Sequence, residues 1–273
     1  MARTNDKVKA LKSGYNEVSL NEDGLFIPEH YEAYFMPIVS THSRFPTLAG
    51  FEALARTSGK HALAPSTFIN KLKERDHVDL LDLAIIERAL KFAQQHPEIT
   101  MSVNMSPELL SRPDSAECII EMCHKYRLDN KNIKLEIIEE PFPTEHLNTI
   151  IRNLQSLHEA EHPIWIDDFG TQDSNFTRIK MLKNNGINIT GIKIDQSLVE
   201  DEKLMMIIRE NPDLKKYSII AEGIETDRQY GVVTNLFETP QLQGYGFRKA
   251  LSPHQAHLEI ARQIPGYLNH ALP

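Results

Sequence analysis

Cysteine is scarce in this chain: of 273 residues only Cys118 and Cys123 carry thiols. Two are too few for a disulfide scaffold, and a five-residue spacing is not that of a zinc knuckle. They read as reduced, packed thiols, which makes the cytoplasm the default compartment. Long apolar runs are also lacking. No stretch of 18 apolar residues occurs, so the sequence offers no membrane span, and Met1–Lys12 is too polar for a secretory leader. Positive charge is in deficit, with 30 Lys and Arg against 38 Asp and Glu, a net −8. A smooth anionic surface disfavours duplex nucleic acid and acidic membranes as partners. A small anionic substrate stays open if a cation or a local Arg or Lys neutralises it. Two motifs are absent as well. No G-x-G-x-x-G follows the first apolar run and no G-x-S-x-G elbow occurs, which disfavours a dinucleotide-binding sheet and a serine hydrolase.

What is present is the composition of an ordinary globular protein, 41% apolar and 25% charged. After a polar extension at residues 1–24, short apolar runs alternate with amphipathic helices up to about Ile264. The expected strands are Tyr34–Val39, Gly50–Arg56, Thr100–Asn104, Ile133–Ile138, Ile164–Asp167, Gly191–Ile194, Ser218–Glu222 and a weak one near Gln241–Gly244. Most lack polar alternation, as strands covered on both faces do. Leu80, Leu83, Ala84, Ile86, Ala89, Leu90 and Ala93 recur at the helical period, as do Leu147, Ile150, Ile151, Leu154 and Leu157. This much alternation in one chain predicts an α/β protein, with a (β/α)8 barrel over residues 25–273 favoured over a doubly wound sheet.

The informative residues are those that end the strands. Glu52 lies in the second strand, Asn104 ends the third and Glu136 lies in the fourth. Asp167-Asp168 ends the fifth, Lys193 and Asp195 flank the end of the sixth, and Glu222 ends the seventh. Polar groups at the carboxyl ends of barrel strands face one mouth. Crowded carboxylates repel one another unless cations lie between them, and an oxygen-rich set suits Mg²⁺ or Mn²⁺. Taken singly, an Asp or Asn after a strand is more often a helix N-cap, and Lys193 a solvated rim charge. Their recurrence at consecutive strand ends is what argues for a site.

At these residues the sequence resembles the EAL-domain family of bacterial cyclic di-GMP phosphodiesterases, from about Tyr31 to Pro253. The ordered motifs are Gly50-Phe51-Glu52-Ala53-Leu54-Ala55-Arg56, Ser102-Val103-Asn104-Met105-Ser106-Pro107 and Leu135-Glu136-Ile137-Ile138-Glu139. Then follow Asp167-Asp168-Phe169-Gly170-Thr171, Lys193-Ile194-Asp195, Ala221-Glu222-Gly223-Ile224-Glu225-Thr226 and Gln243-Gly244-Tyr245. The resemblance implies a (β/α)8 barrel whose first strand runs antiparallel. It implies two divalent cations, Mg²⁺ or Mn²⁺; Ca²⁺, which accepts longer bonds and more ligands, is expected to be inhibitory. Glu52, Asn104, Glu136 and Asp167 match the ligands of one ion, and Asp167, Asp168 and Glu222 those of the other. Glu222 also matches the general base, Lys193 a lysine beside the attacking water, and Asp195 its support. Arg56 matches a phosphate contact, Glu225 and Gln243 complete the pocket, and Glu139 steadies the loop after the paired aspartates. The implied reaction is hydrolysis of cyclic di-GMP to linear pGpG, and a homodimer is among the assemblies the family forms.

Four departures stand out. Met36 replaces the family's usual Gln ahead of Pro37, which removes a polar contact to the nucleotide. Ile138 replaces a Thr, Gln172-Asp173 replaces Gly-Tyr in the loop after Asp168, and Ala250 replaces a Pro. The expectation is an active phosphodiesterase. The alternatives are a non-catalytic nucleotide receptor and a protein-binding adaptor.

Overall fold

A computed structural model of the chain describes residues 26–43, 46–59, 62–170, 174–238 and 240–262. The polar extension at 1–24 and the departure at Gln172-Asp173 lie outside these residues. Eight strands close a barrel in sequence order: β1 (Tyr31–Ser40), β2 (Thr47–Thr57), β3 (Thr100–Met105), β4 (Ile133–Ile137), β5 (Ile164–Phe169), β6 (Gly191–Ile194), β7 (Ser218–Ala221) and β8 (Gln241–Leu242). β1 runs antiparallel to both β2 and β8, whereas β2 through β8 pair in parallel. The expected barrel with an antiparallel first strand is therefore what the chain forms.

The strand bounds differ from expectation mainly at β1 and β2. Each extends beyond the barrel as an antiparallel ladder reaching Tyr31 opposite Thr57. Antiparallel neighbours need no crossover, so the ladder can run on past the point where parallel strands hand over to helices. The closing seam is short. β8 contributes only Gln241 and Leu242, paired with Ser40 and Val39 of β1.

All five residues of β4 are buried, the apolar Ile133, Leu135 and Ile137 alternating with Lys134 and Glu136. Outside the barrel, the helix Val78–Ala93 packs on β1, β2 and β3 through the periodic positions expected of it. Its Leu83, Ile86, Ala89 and Leu90 are essentially inaccessible. Burying each large aliphatic side chain contributes about 1.5–3 kcal/mol. Leu147–Glu159 turns Ile150, Leu154 and Leu157 inward in the same way. Cys123 joins this core, and burial pushes its thiol up to about 12, which makes it a poor nucleophile.

Inside the barrel a second, smaller apolar cluster of Ile38, Trp165 and Ile220 forms a plug beneath the acidic positions. Gly191 makes room for it: a Cβ there would lie 2.5 Å from the Trp165 ring. The plug separates the two ends of the barrel.

Candidate active site at the carboxyl-end mouth

Alternation along each strand decides what faces inward. Glu136 shares the inner face of β4 with Lys134, and Lys193 that of β6 with Gly191. Asp167 shares the inner face of β5 with Trp165. The antiparallel β1 places Met36 directly across from Glu52 of β2, and Asn104 of β3 pairs with Glu136 of β4. These choices converge on the Lys193 ammonium. Its Nζ lies 3.2 Å from Glu52, 3.0 Å from Glu136, 2.9 Å from Asp167 and 2.9 Å from Glu222. Lys193 is 1% exposed, so it is no solvated rim charge.

Adjacent residues of a regular strand point to opposite faces, yet Asp167 and Asp168 both serve this mouth. The reason is local. The β5–β6 register breaks between Ile166 and Phe169, and Asp168 takes a left-handed φ of +46°. A bulge of this kind re-aims a side chain at a barrel rim, and Asp tolerates the conformation better than most residues. Gly170, at φ +106°, completes the turn, and a Cβ there would collide with Leu198. One carboxylate oxygen each from Asp167, Asp168 and Glu222 can thus meet within 4.8 Å, as can one each from Glu52, Glu136 and Asp167. Asp167 belongs to both groups.

The electrostatics are those of a site short of positive charge. Burial, and then the neighbouring Glu52 and Asp167 charges, raise the Glu136 carboxyl to about 7 although Lys193 opposes the shift. Burial, then Asp167 and Glu139, push Asp168 up to about 6. Asp167 and Glu222 are also raised, burial leading in each. Glu52 goes the other way. Its burial is outweighed by Lys193 and by hydrogen bonds from Gln243 and Asn104, so it stays ionised more readily than a free Glu. Burial pulls the Lys193 ammonium down, but four carboxylates more than offset it and hold the ammonium firmly charged.

One ammonium cannot neutralise five acids. The donor set also has spare capacity: Asn104 Oδ1 and Glu136 Oε1 are buried and accept no hydrogen bond among the described residues. Hard oxygen donors, buried and under-partnered around two overlapping carboxylate groups, fit divalent cations of the Mg²⁺ or Mn²⁺ type.

The remaining predicted residues fall into three places. Gln243 is inside, its Nε2 donating to Glu52 Oε2 at 2.5 Å, while Asn104 Nδ2 donates to Glu52 Oε1 at 3.0 Å. Met36 is inside and 5% exposed, so a thioether rather than an amide faces Glu52. Arg56 stands four residues after Glu52, on the same face of β2 and towards the mouth, where its Nη1 donates to the Ala55 carbonyl. Glu225 is exposed on the turn after β7, and its side chain is outside the carboxylate ring. Asp195 is also outside the ring. It is the N-cap of the short helix Gln196–Val199, accepting from the Ser197 amide at 2.8 Å. The general preference for capping roles at strand ends applies to this residue.

The comparisons with known proteins fall on the same residues. The EAL domain family model matches residues 24–250, most of the chain and every motif above. The chain belongs to the EAL-domain family. Two curated relatives from Escherichia coli (strain K12) are each 30% identical to this EAL domain. The probable cyclic di-GMP phosphodiesterase PdeA aligns over 67% of the chain and PdeB over 84%. The chain spans only 26% and 44% of their respective lengths. Among solved structures, an EAL domain protein from Listeria monocytogenes EGD-e superposes with a TM-score of 0.72 at 22% identity. It covers 85% of this chain and 93% of its own. The PaMucR phosphodiesterase in complex with c-di-GMP superposes with a TM-score of 0.70 at 20% identity, covering 83% and 99%. These likenesses establish the shared fold.

Sequence reasoning missed two residues that shape this EAL domain's mouth, Arg178 and Ser102. Arg178, 6% exposed on the helix Ser174–Asn184, donates to the carbonyls of Ile138, Glu139 and Glu140 at 2.5, 3.0 and 2.6 Å. It clamps the backbone after β4 to the segment that follows the paired aspartates. Glu139 itself acts there by charge, helping to raise Asp168. A lone Arg on a mostly polar helix gives no sequence signal, because a solvated face has the same pattern. Ser102, buried on the inner face of β3 beside Glu136, carried no assignment in the motif that contains it.

Proposed function

We propose that this EAL domain hydrolyses cyclic di-GMP to linear pGpG with two divalent cations, Mg²⁺ or Mn²⁺. The observation that carries the reading is the pair of overlapping three-carboxylate groups joined at Asp167. Glu52, Asn104, Glu136 and Asp167 would hold one ion, and Asp167, Asp168 and Glu222 the other. When bound, such ions supply Lewis acidity towards a phosphoryl oxygen and towards water. The chain's own groups do the rest. Glu222, its pKa raised by burial and by neighbouring acids, is the proton acceptor for the attacking water. Lys193 holds the acids together and offers positive charge where negative charge gathers on the phosphate. Gln243 and Asn104 fix the Glu52 carboxylate, Arg56 meets the substrate phosphate, and Glu225 borders the nucleotide. Asp195 supports Lys193 by capping the helix that begins where β6 ends.

The test is incubation of purified protein with cyclic di-GMP and Mg²⁺, Mn²⁺ or Ca²⁺, with separation of products. pGpG should form with Mg²⁺ and Mn²⁺. With Ca²⁺, which accepts longer bonds and more ligands, the nucleotide should bind and stay intact. Intact nucleotide in all three conditions refutes the enzyme. Saturable binding of it would then leave a receptor, the reading that Met36 opposite Glu52 favours, and no binding would leave an adaptor.

A further inference from the structure

The amino ends of the strands enclose a cavity that the phosphodiesterase reading does not use. Its volume is about 850 Å³, within the range of small-molecule sites. Its lining includes Lys131, Pro163, Thr190, Tyr217 and Pro240, which immediately or nearly precede β4, β5, β6, β7 and β8. His42 joins them from just after β1, the strand that runs the other way. The cavity therefore opens on the barrel end opposite Glu222, and the Ile38–Trp165–Ile220 plug lies between the two.

The charge of the cavity opposes that of the chain. Five cations line it, Lys131, Lys134, Arg209, Lys215 and Lys216, against two acids, Glu210 and Glu238. The lining is thus net positive in a chain of net −8, even with Lys131 paired to Glu161 outside it. Glu210 is shared between Arg209 at 3.5 Å and Lys215 at 3.9 Å, so it neutralises neither fully. Lys131 reaches outward to Glu161 at 3.1 Å. The innermost cation is built into the barrel. Lys134 is 8% exposed, with its Nζ 4.7 Å from the Trp165 ring centroid and 3.0 Å from its acceptor, Gln241 Oε1. Trp165, 2% exposed, also lines the cavity, and its buried indole N–H has no acceptor among the described residues. Burial disfavours the Lys134 ammonium and the Glu136 charge only partly offsets it, while the unpaired buried N–H of Trp165 is unfavourable without an acceptor.

We propose that this cavity is a second ligand site, for the polyphosphate group of a small organic anion of the nucleoside triphosphate class. Several lysines around a concave wall bring dispersed positive charge to a ligand carrying three or four negative charges, and the low-dielectric floor strengthens the contact. The half-buried Tyr217 and Phe237 on the same wall give the organic part of the ligand apolar surface. The site shares no residue with the carboxylate ring, so it stands or falls independently of the proposed hydrolysis.

The chain's single tryptophan makes the site self-reporting. ATP, tripolyphosphate and adenosine are titrated separately into the protein in EDTA while Trp165 emission is followed. ATP and tripolyphosphate should change the emission saturably below about 1 mM, and adenosine should not. The rim double variant Lys215→Ala/Lys216→Ala should weaken ATP about tenfold. Its thermal unfolding and its cyclic di-GMP binding in Ca²⁺ should remain those of the wild type. Lys134→Gln should weaken ATP at least as much. In a Ca²⁺ buffer without EDTA, the ATP titration should be the same with and without saturating cyclic di-GMP, and Glu222→Gln should leave the EDTA titration unchanged. No saturable ATP response, a response equal in the rim double variant, or competition by cyclic di-GMP would each overturn the proposal. Loss of hydrolysis in Glu222→Gln with ATP binding retained would show the two sites to be separate.

Discussion

Replacing Lys193 by Met tests the electrostatic account of the mouth most directly. The ammonium stands 2.9–3.2 Å from four carboxylates and is 1% exposed, so the substitution leaves those acids facing one another without a cation. Removing one partner of a buried ion pair costs about 3–5 kcal/mol. For a chain of this size that corresponds to roughly 6–20 °C in Tm. The cost should depend on pH. Glu136 already titrates at about 7 in the fold against 4.5 when unperturbed, and loss of Lys193 raises it further. A raised carboxyl favours the fold at low pH, and that contribution is lost as pH rises from about 4.5 through the folded value. Lys193→Met should therefore be close to wild type near pH 5 and clearly weaker at pH 8. Divalent cations bind the folded acids of both proteins and should add about 4 kcal/mol to the stability of each when present at a thousandfold their Kd. The assay is urea unfolding followed by circular dichroism, at pH 5 and 8, in EDTA and in excess Mg²⁺. Equal stability of the two proteins at pH 8 in EDTA would refute the reasoning. So would a failure of Mg²⁺ to raise the stability of Lys193→Met above its value in EDTA.

Four further outcomes follow from the same geometry. Glu222→Gln should lower cyclic di-GMP turnover by about 10²–10⁴-fold, measured as the initial rate of pGpG formation, with the fold intact. Met36→Gln restores an amide across from Glu52 and should tighten cyclic di-GMP binding by about 1 kcal/mol in a Ca²⁺ titration. Gly191→Ala puts a Cβ 2.5 Å from the Trp165 ring and should cost about 1–3 kcal/mol in unfolding free energy, with a shifted tryptophan emission. Asp82 accepts from the Ser106 amide at 3.3 Å, and burial lifts its carboxyl from 3.8 to about 7. That shift makes it an acid whose stabilisation fades between about pH 4 and 7, by at most about 4 kcal/mol, so Asp82→Asn should flatten that part of the stability curve.

How much of this was legible in the sequence depends on the distance over which each signal acts. Strand identity was readable because short segments dense in Ile, Leu, Val and Met lie between helical stretches, with β3, β4 and β6 alternating polar and apolar residues and β5 and β7 carrying apolar runs. The antiparallel course of β1 was not readable from periodicity, since an apolar run carries no direction; only the family resemblance supplied it. The acids at the strand ends were legible as a set, but their separate duties were not. Asp167 and Asp168 are neighbours that a regular strand would send to opposite faces, and the broken register with a left-handed Asp168 is what brings both to one mouth. Asp195 has the same residue type at the same kind of position and instead caps a helix, because β6 ends without a bulge and the chain enters Gln196–Val199 at once.

Charge was the least legible property, because its effect depends on where the chain closes rather than on local sequence. A net −8 argued against anionic partners for the molecule as a whole. The barrel then divides that charge between its ends. The carboxyl ends of the strands gather Glu52, Glu136, Asp167, Asp168 and Glu222 around a single lysine, and the amino ends gather Lys131, Lys134, Arg209, Lys215 and Lys216. No single window of the sequence holds either group, since the acids come from β2, β4, β5 and the end of β7 and the cations from two separate segments, 131–134 and 209–216. Each end is unfavourable alone: the acids call for cations, and the lysines call for an anion. The Ile38–Trp165–Ile220 layer lies between the two ends and keeps most of the two groups apart, the exception being Lys134, whose ammonium feels the Glu136 charge two residues on along β4. The fold thus preserves two charged sites of opposite sign that a looser chain of the same composition would collapse into ion pairs.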